Sequence, residues 1–133
     1  MVKQIAVFLE NQAGKASACC KTLKEAGVNL LAISIADTKE FGILRLITDE
    51  DQKALEALRA AGYLASIVDL VGVEVPHRTG ALSDLLILLG DGGVNVEYMY
   101  SYAETDGHAK IAFKTNTPEK AVEILKKADA KVL

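Results

Sequence analysis

The chain has 133 residues, half of them hydrophobic and a quarter charged, and its formal net charge is −3. These values are typical of a globular protein, and the lack of a basic surplus argues against a nucleic-acid partner. No apolar run approaches the roughly 20 residues that span a membrane, and residues 1–10 do not resemble a signal peptide. We therefore expect a cytoplasmic protein without a membrane partner.

The sequence contains an internal repeat. At a shift of 66 positions, Gly14 aligns with Gly80 and residues 27–29 (Gly-Val-Asn) align with residues 93–95. After the middle hairpin the second half carries one more residue, so that residues 54–58 align with residues 121–125. Repetition at one spacing predicts two copies of one structural unit. We predict two domains, residues 1–70 and 71–133, that adjoin without a linker.

Six elements are predicted in the first repeat, in the order β-α-β-β-α-β. Alternating hydrophobicity predicts a strand at Ile5–Leu9, and later strands at Val28–Ala36, Phe41–Thr48 and Ala65–Leu70. Spacings of three and four residues predict two amphipathic helices. Their buried stripes are expected at Ala16, Cys19, Cys20 and Leu23, and at Ala54, Leu55, Leu58 and Ala61. Gly27 is placed at the end of the first helix, and Asp51 is the expected N-cap of the second.

The second repeat predicts the same six elements. Strands are expected at Val71–Val75, Val94–Tyr102, His108–Thr115 and Ala130–Leu133. The helix stripes are expected at Leu82, Leu85, Leu86 and Leu89, and at Ala121, Val122, Leu125 and Ala128. Gly93 should end the first helix, while Thr117 should cap the second with Pro118 at its first position. The predicted fold is α+β: tandem ferredoxin-like βαββαβ modules with antiparallel sheets and helices on one face.

The face of each sheet that points away from the helices differs between the repeats. In the first repeat this face is predicted to be apolar, formed by Leu31, Ile33, Ile35, Ile43 and Ile47. Since a solvated sheet face normally alternates to polar residues, we expect another surface to cover it, within the chain or in a homodimer. In the second repeat it is predicted to be mixed, with Glu97, Ser101, Lys110 and Lys114.

Two segments in each repeat resemble the ACT domain family. The first is a strand that runs into a glycine turn before a helix, at residues 8–14 and 75–82. The second is a Gly-Val-Asn sequence between helix and strand, within residues 26–30 and 92–96. Ala13 and Thr79 depart from the pattern, because many ACT domains have proline there. More narrowly, the chain resembles small stand-alone proteins with two ACT domains.

The resemblance implies a regulatory protein that binds an amino acid at interfaces between modules and signals to a metabolic enzyme. The glycine turns precede helix N-termini, whose N–H groups suit a carboxylate. The ligand-binding residues expected there are Asn11, Ala13, Gly14, His77, Arg78, Thr79 and Gly80. The resemblance also implies that Asn29 and Asn95 reach the ligand of a neighbouring module. The alternative is that the glycines only form turns and the asparagines only make local hydrogen bonds. Asp37 is interpreted as a solvated turn residue.

Other functions are weighed against this one. Cys19 and Cys20 are adjacent, which fits neither a disulfide framework nor a zinc pattern, so both are expected in the core. His77 and His108 have no third ligand at a convincing spacing, and we predict no metal, no cofactor and no catalytic residue. The alternatives are a protein-interaction scaffold without a ligand and an acylphosphatase-like hydrolase, for which Arg78 would cradle the anion.

Overall fold

The computed structural model describes residues 1–37 and 40–133, with the side chain of Asp37 also outside the description. Asp37 is the last residue of a strand and pairs with Gly42, so its interpretation as a turn residue is wrong, while the exposure of its side chain lies outside the description. Contacts divide the chain into two compact units. The N-terminal unit is Lys3–Val68, and the C-terminal unit is Met1–Val2 with Asp69–Leu133. The predicted assignment of two domains, 1–70 and 71–133, stays a prediction.

The N-terminal unit follows the predicted order of elements. These are β1 (Val2–Glu10), α1 (Lys15–Glu25), β2 (Leu30–Asp37), β3 (Phe41–Thr48), α2 (Asp51–Ala60) and the first part of β4 (Leu64–Pro76). The sheet order is β2-β3-β1-β4, and β3 pairs antiparallel with both β1 and β2. Within the described residues, no helix of the chain is long and apolar enough to cross a membrane.

The C-terminal unit repeats this arrangement. After the second part of β4 come α3 (Ala81–Asp91), β5 (Tyr98–Thr105), β6 (His108–Lys114), α4 (Pro118–Lys127) and β7 (Lys131–Val132). β4 pairs antiparallel with β6 and β7, and β6 pairs with β5. Two expected boundaries are wrong. The strands predicted at residues 65–70 and 71–75 are one strand, β4, and β5 begins at Tyr98 rather than Val94.

The apolar stripes of the helices form one core in each unit. In the N-terminal unit, Cys19 and Leu23 of α1 and Leu58 of α2 are fully buried against β1 and β3. Cys20 is half-buried, so its expected core position is only partly confirmed. Ala61 and Ala128 are exposed, and each lies at the C-cap, just past the last residue of its helix.

The stripe predicted for α3 is wrong at two positions. Leu85 and Leu89 are buried, but Leu82 and Leu86 are 42% and 38% exposed. The buried row is Ala81, Leu85 and Leu89, which lie four residues apart and face the sheet together. α3 is so rich in leucine that the sequence permits two adjacent stripes, and only packing against the sheet selects one of them.

Strand register corrects the predicted apolar face of the N-terminal unit. Ile33 and Ile35 are cross-strand partners of Leu46 and Leu44, which are buried in the core on the helix side. Since directly opposed residues point to the same face, these isoleucines do not share a face with Ile43. The cause is a register shift between Leu30 and Ala32, which reverses the alternation along β2. Leu31 lies within that irregular stretch.

The outer face, defined here as the sheet face away from the helices, keeps a smaller apolar group in the N-terminal unit. Phe8 pairs with Ile43 across the strands, and Glu10 pairs with Phe41. The rings of Phe8 and Phe41 stack with their centroids 5.0 Å apart. All three apolar side chains are exposed, whereas Ile47, which was predicted on the same face, is buried.

The outer face of the C-terminal unit is polar, but its members differ from those predicted. Lys110 and Lys114 belong to it, together with Glu74 as the partner of Lys110. Ser101 does not, because it is opposite Ile111, whose side chain is in the core. Glu97 precedes β5 and is not part of the strand. The predicted charged character of this face is therefore correct, but Glu97 and Ser101 do not belong to it.

Glycines in the left-handed region end the first helix of each unit, as predicted. Gly27 and Gly93 have φ values of 75° and 76°. The N–H groups of Gly27 and Val28 donate to the carbonyls of Lys24 and Leu23, both at 3.0 Å. This is a Schellman motif, which satisfies two carbonyls at the helix end. At the other helices, Thr117 and Pro118 occupy their expected positions, while α2 is preceded by Glu50 rather than capped by Asp51.

Candidate functional site

The turns before α1 and α3 have the same backbone geometry. In the first turn, the amides of Asn11, Gln12 and Lys15 donate to the carbonyls of Glu40, Glu10 and Gln12. The second turn repeats these bonds at every equivalent position, with donors His77, Arg78 and Ala81 and acceptors Gly107, Pro76 and Arg78. The duplication detected in the sequence is therefore reproduced at the level of single hydrogen bonds.

A glycine in the left-handed region begins each of these helices. Gly14 and Gly80 are the N-caps of α1 and α3, with φ values of 85° and 87°. An L-residue is strained at such a φ, which explains the glycine. Among the described residues, no side chain caps either N-terminus. The first amide of each helix, at Lys15 or Ala81, is bonded within its turn, so it is the amides after it that lie where the helix dipole favours an anion.

The side chains of the predicted turn residues are accessible. Asn11 and Ala13 in the first turn and His77, Arg78 and Thr79 in the second are all exposed. The Arg78 guanidinium donates to the carbonyl of Thr79 at 3.4 Å, a long bond within its own turn. A guanidinium so weakly held can reorient toward a ligand at the N-terminus of α3, whereas the first turn has Gln12 at this position.

Asn29 and Asn95 lie at the other end of the helix from the glycine turn of the same unit. α1 has 11 residues, so about 16 Å separates its two ends. The structure therefore does not bring Gly14 and Asn29 into one site within a unit. The backbone N–H of Asn29 donates to the carboxylate of Asp49 at 2.9 Å, and its carbonyl accepts from the Asp49 amide. The side chains of both asparagines are exposed.

A cleft of about 670 Å³ lies in the C-terminal unit. It is formed by the end of β4, the turn between β5 and β6, and the turn between α4 and β7. The residues that line it are Glu74, Val75, Pro76, Thr105, Asp106, His108, Lys110, Asp129, Ala130 and Lys131. None of these belongs to the ligand-binding set predicted from the sequence.

Glu74 is a largely buried charged group of this cleft. Its side chain is 12% exposed, and its carboxylate accepts a hydrogen bond from Lys131 at 2.7 Å. That bond lowers the pKa of Glu74, against the opposing effect of desolvation, and the charges of Lys131, His108 and Lys110 lower the pKa further. Burial, and then the charge of Glu74, raise the pKa of Tyr102. Glu74 is therefore a stable anion that faces several basic groups.

The sequence contains one indication of this cluster, a charged residue where the other repeat has an apolar one. Glu74 interrupts the valines of β4 at a position where the first repeat has Phe8. Comparing the repeats position by position would have marked it, but its partners Lys110 and Lys131 are 36 and 57 residues away (110 − 74 and 131 − 74). Only the strand pairing joins them.

Burial keeps Cys19 protonated. Desolvation raises the pKa of its thiol to about 11, with a smaller contribution from neighbouring Cys20. Such a thiol is a poor nucleophile and a poor metal ligand, because both roles require the thiolate. In the part of the chain that the structure describes, no three His, Cys, Asp or Glu residues are grouped to hold a metal ion.

The model of the ACT domain pair family matches residues 1–132, nearly the whole chain. The chain is also similar to protein BT0572 from Bacteroides thetaiotaomicron, with 36% identity and a TM-score of 0.92 over 99% of this chain and 91% of that one. No curated protein matches.

The fold recurs in proteins of lower identity. The ligand-free regulatory subunit of aspartate kinase from Thermus thermophilus is 19% identical, with a TM-score of 0.67 over 95% of this chain and 91% of that one. The corresponding subunit from Thermus flavus is also 19% identical, with a TM-score of 0.65 over 96% and 92% of the two chains. At this identity the likeness concerns the fold.

Proposed function

Because the chain belongs to the ACT domain family, as a pair of ACT domains, we propose that it is a regulatory protein that binds an amino acid. In this proposal each domain, 1–70 and 71–133, contributes binding groups, and the ligand acts through interfaces between modules or subunits. Binding would favour one arrangement of the interfaces over another. The cytoplasmic location expected from the sequence is part of the proposal.

The observation that carries the proposal is the pair of uncapped helix N-termini behind Gly14 and Gly80. The amides that follow the first, turn-bonded one and the positive end of the helix dipole suit the ligand carboxylate. Asn11 and Ala13 flank the first of these sites, and His77, Arg78 and Thr79 flank the second. The asparagines Asn29 and Asn95 would contact a ligand from a neighbouring module, since each lies far from the turn of its own unit.

We propose a metabolic enzyme as the regulated partner, because two similar structures are regulatory subunits of aspartate kinase. The chain itself is proposed to have no catalytic role. An acylphosphatase-like reaction would require a positioned arginine. The Arg59 guanidinium is already used, because it donates to the carbonyl of Ala65 at 3.2 and 3.1 Å. Arg78 is exposed in its turn and is weakly held there.

We also propose a homodimer through the outer sheet face of the N-terminal unit. Phe8, Phe41 and Ile43 are exposed there by 47%, 41% and 37%. A second copy that places the same face against them would bury all three and form a two-fold interface. This exposed face also favours a second candidate function, a scaffold that binds a protein partner and no small molecule.

The test of the main proposal is thermal unfolding of the full chain with each of the twenty amino acids at millimolar concentration. A ligand at about 100 times its Kd stabilises the folded state by about 2.7 kcal/mol, which raises the melting temperature measurably. Stabilisation by one or a few amino acids supports the regulatory function. If none of them raises the melting temperature, the scaffold is the better description.

Matched variants locate the binding site. Arg78→Gln gives the second turn the residue that the first turn has at Gln12, and it should weaken binding of the stabilising amino acid. Lys114→Gln removes a positive charge elsewhere in the same unit and should leave binding unchanged. Equal affinity in both variants would contradict the role assigned to Arg78, while Asn29→Ala and Asn95→Ala report whether both modules bind.

The dimer has its own matched pair. Ile43→Lys introduces the residue that occupies the equivalent position in the C-terminal unit, and it should yield a monomer by light scattering. Ile33→Lys places the same charge on the opposite side of the sheet and should leave the dimer intact. A wild-type monomer, or dissociation by Ile33→Lys alone, would contradict the proposed interface.

A further inference from the structure

The outer faces of the two units differ most where the cleft lies. The cleft positions Glu74, His108, Lys110 and Lys131 correspond through the repeat to Phe8, Phe41, Ile43 and Leu64. The pairing is conserved between the units, because Phe8 is opposite Ile43 just as Glu74 is opposite Lys110. The same strand pairing forms with apolar residues in the N-terminal unit, so the fold does not require charge at these positions. The four charged or titratable side chains of the C-terminal unit therefore indicate a role other than folding.

The strands of the cleft carry two ammonium groups and one carboxylate, whereas its turns carry two more carboxylates, Asp106 and Asp129. Glu74 is a cross-strand partner of Lys110 on one side and of Lys131 on the other. Side chains of such partners are neighbours, since their Cβ atoms lie about 4.5–5.5 Å apart. Lys131 donates to Glu74 at 2.7 Å, and among the described residues no acidic group forms an ion pair with the half-buried Lys110. One carboxylate thus lies between two ammonium groups.

His108 lies at the end of β6 and lines the cleft beside Lys110. It is opposite Pro76 in the β4–β6 pairing, and its Nδ1 lies 3.1 Å from the carbonyl oxygen of Asp106. The acidic groups Asp106 and Asp129 are located at the two turns that form the rim. A rim of this sign disfavours a polyanion, such as a nucleotide, and is compatible with a ligand of one negative charge or with a zwitterion.

We propose that this cleft binds a small carboxylate-bearing molecule, whose carboxylate accepts from the ammonium of Lys110. The volume of about 670 Å³ is within the range of small-molecule sites. A charge-assisted hydrogen bond from an ammonium group is a contact that holds a carboxylate. This site adjoins the turn before α3, since Pro76 lines the cleft and also accepts from the Arg78 amide, but it does not rest on the function proposed for that turn.

The test uses the full chain and follows its backbone amides by NMR during titration with three probes: propionate, glycine and ethylamine. Propionate and glycine share a carboxylate, whereas ethylamine has only the ammonium group. The proposal expects propionate and glycine to shift the amides of Val75, Lys110 and Lys131, with ethylamine without effect. Shifts caused by ethylamine alone, or no shift at these amides with any probe, would overturn it.

Variants separate this cleft from the turn site. Lys110→Met should weaken propionate binding about tenfold, the scale of one lost charge-assisted hydrogen bond, and Lys110→Arg should retain it. Lys114→Met is the control, because Lys114 lies on the same face of β6 outside the cleft. Equal weakening in both methionine variants contradicts the proposal. If glycine shifts only the amides of residues 77–80, the cleft proposal fails while the turn site stands. If glycine shifts only the amides of Val75, Lys110 and Lys131, the turn site fails while the cleft proposal stands.

Discussion

The ammonium of Lys131 on β7 donates a hydrogen bond to the carboxylate of Glu74 on β4 at 2.7 Å, joining the last strand of the chain to the middle of the sheet. The bond lowers the pKa of Glu74 below its ordinary 4.5. A lowered carboxyl pKa adds stability that is fully present above the ordinary value and is lost as the pH falls through the lowered one. We therefore expect Glu74→Gln to reduce stability at neutral pH and to flatten its loss in acid. Urea unfolding between about pH 3 and 7 measures both effects.

Glu123→Gln is the control for that experiment. Lys127 donates to Glu123 at 2.7 Å and also lowers its pKa, but the Glu123 side chain is 64% exposed. Solvent screens such surface pairs, so this variant should change stability less than Glu74→Gln. A larger effect at Glu123 would contradict the importance assigned to the strand pair.

Glycine at the two helix starts is expected to be required for its backbone conformation. Gly14→Ala and Gly80→Ala should each destabilise the fold by about 1–2 kcal/mol, because φ is positive at both positions. Apart from the chain neighbours, no atom of the described residues lies within 4 Å of an added Cβ at either site, so we expect the backbone conformation to dominate the loss. Denaturant unfolding measures the loss.

Gly90→Ala should change the stability in the opposite direction. Gly90 lies within α3, and a Cβ added there also meets nothing within 4 Å. Because its backbone is helical, alanine should stabilise the protein by about 0.5–1 kcal/mol. Destabilisation by Gly90→Ala and none by Gly80→Ala would show that the assigned conformations are wrong.

Two leucines of α3 should differ strongly despite their similar sequence context. Leu89→Ala should cost about 2–5 kcal/mol in unfolding free energy, because Leu89 is fully buried. Leu86→Ala should change the free energy by less than about 0.5 kcal/mol, because the side chain is 38% exposed. The same unfolding experiment compares the two variants, and similar losses would restore the stripe predicted from the sequence.

The Cys19 thiol should resist alkylation in the folded protein. Its pKa is raised from 9.0 to about 11, first by burial, so the thiolate is scarce at pH 8 and below. The protonated thiol adds stability that is complete below pH 9.0 and is lost as the pH rises through about 11. Mass spectrometry after iodoacetamide treatment should find Cys19 labelled only in denaturant. Labelling of Cys19 in the folded protein at neutral pH would contradict its placement in the core.

Local features were predictable because neighbouring residues determine them. The positive φ values of Gly14, Gly27 and Gly80 follow from turns that other residues adopt only with strain. The bounds of β3, Phe41–Thr48, agree with the predicted strand, since its apolar run lies between polar turns. The order of elements was recoverable in the same way, and the repeat allowed each element to be identified twice.

The sequence by itself therefore determined the duplicated βαββαβ unit and its helix-starting turns, because these depend on patterns within one element. Only the tertiary structure decided which side chains share a surface. A register shift in β2 moved Ile33 and Ile35 to the helix side, and packing against the sheet selected Leu89 over Leu86. Pairing between distant strands brought Lys131 to Glu74. Each outcome depends on contacts between elements far apart in the chain, for which the local hydrophobic pattern allows more than one answer.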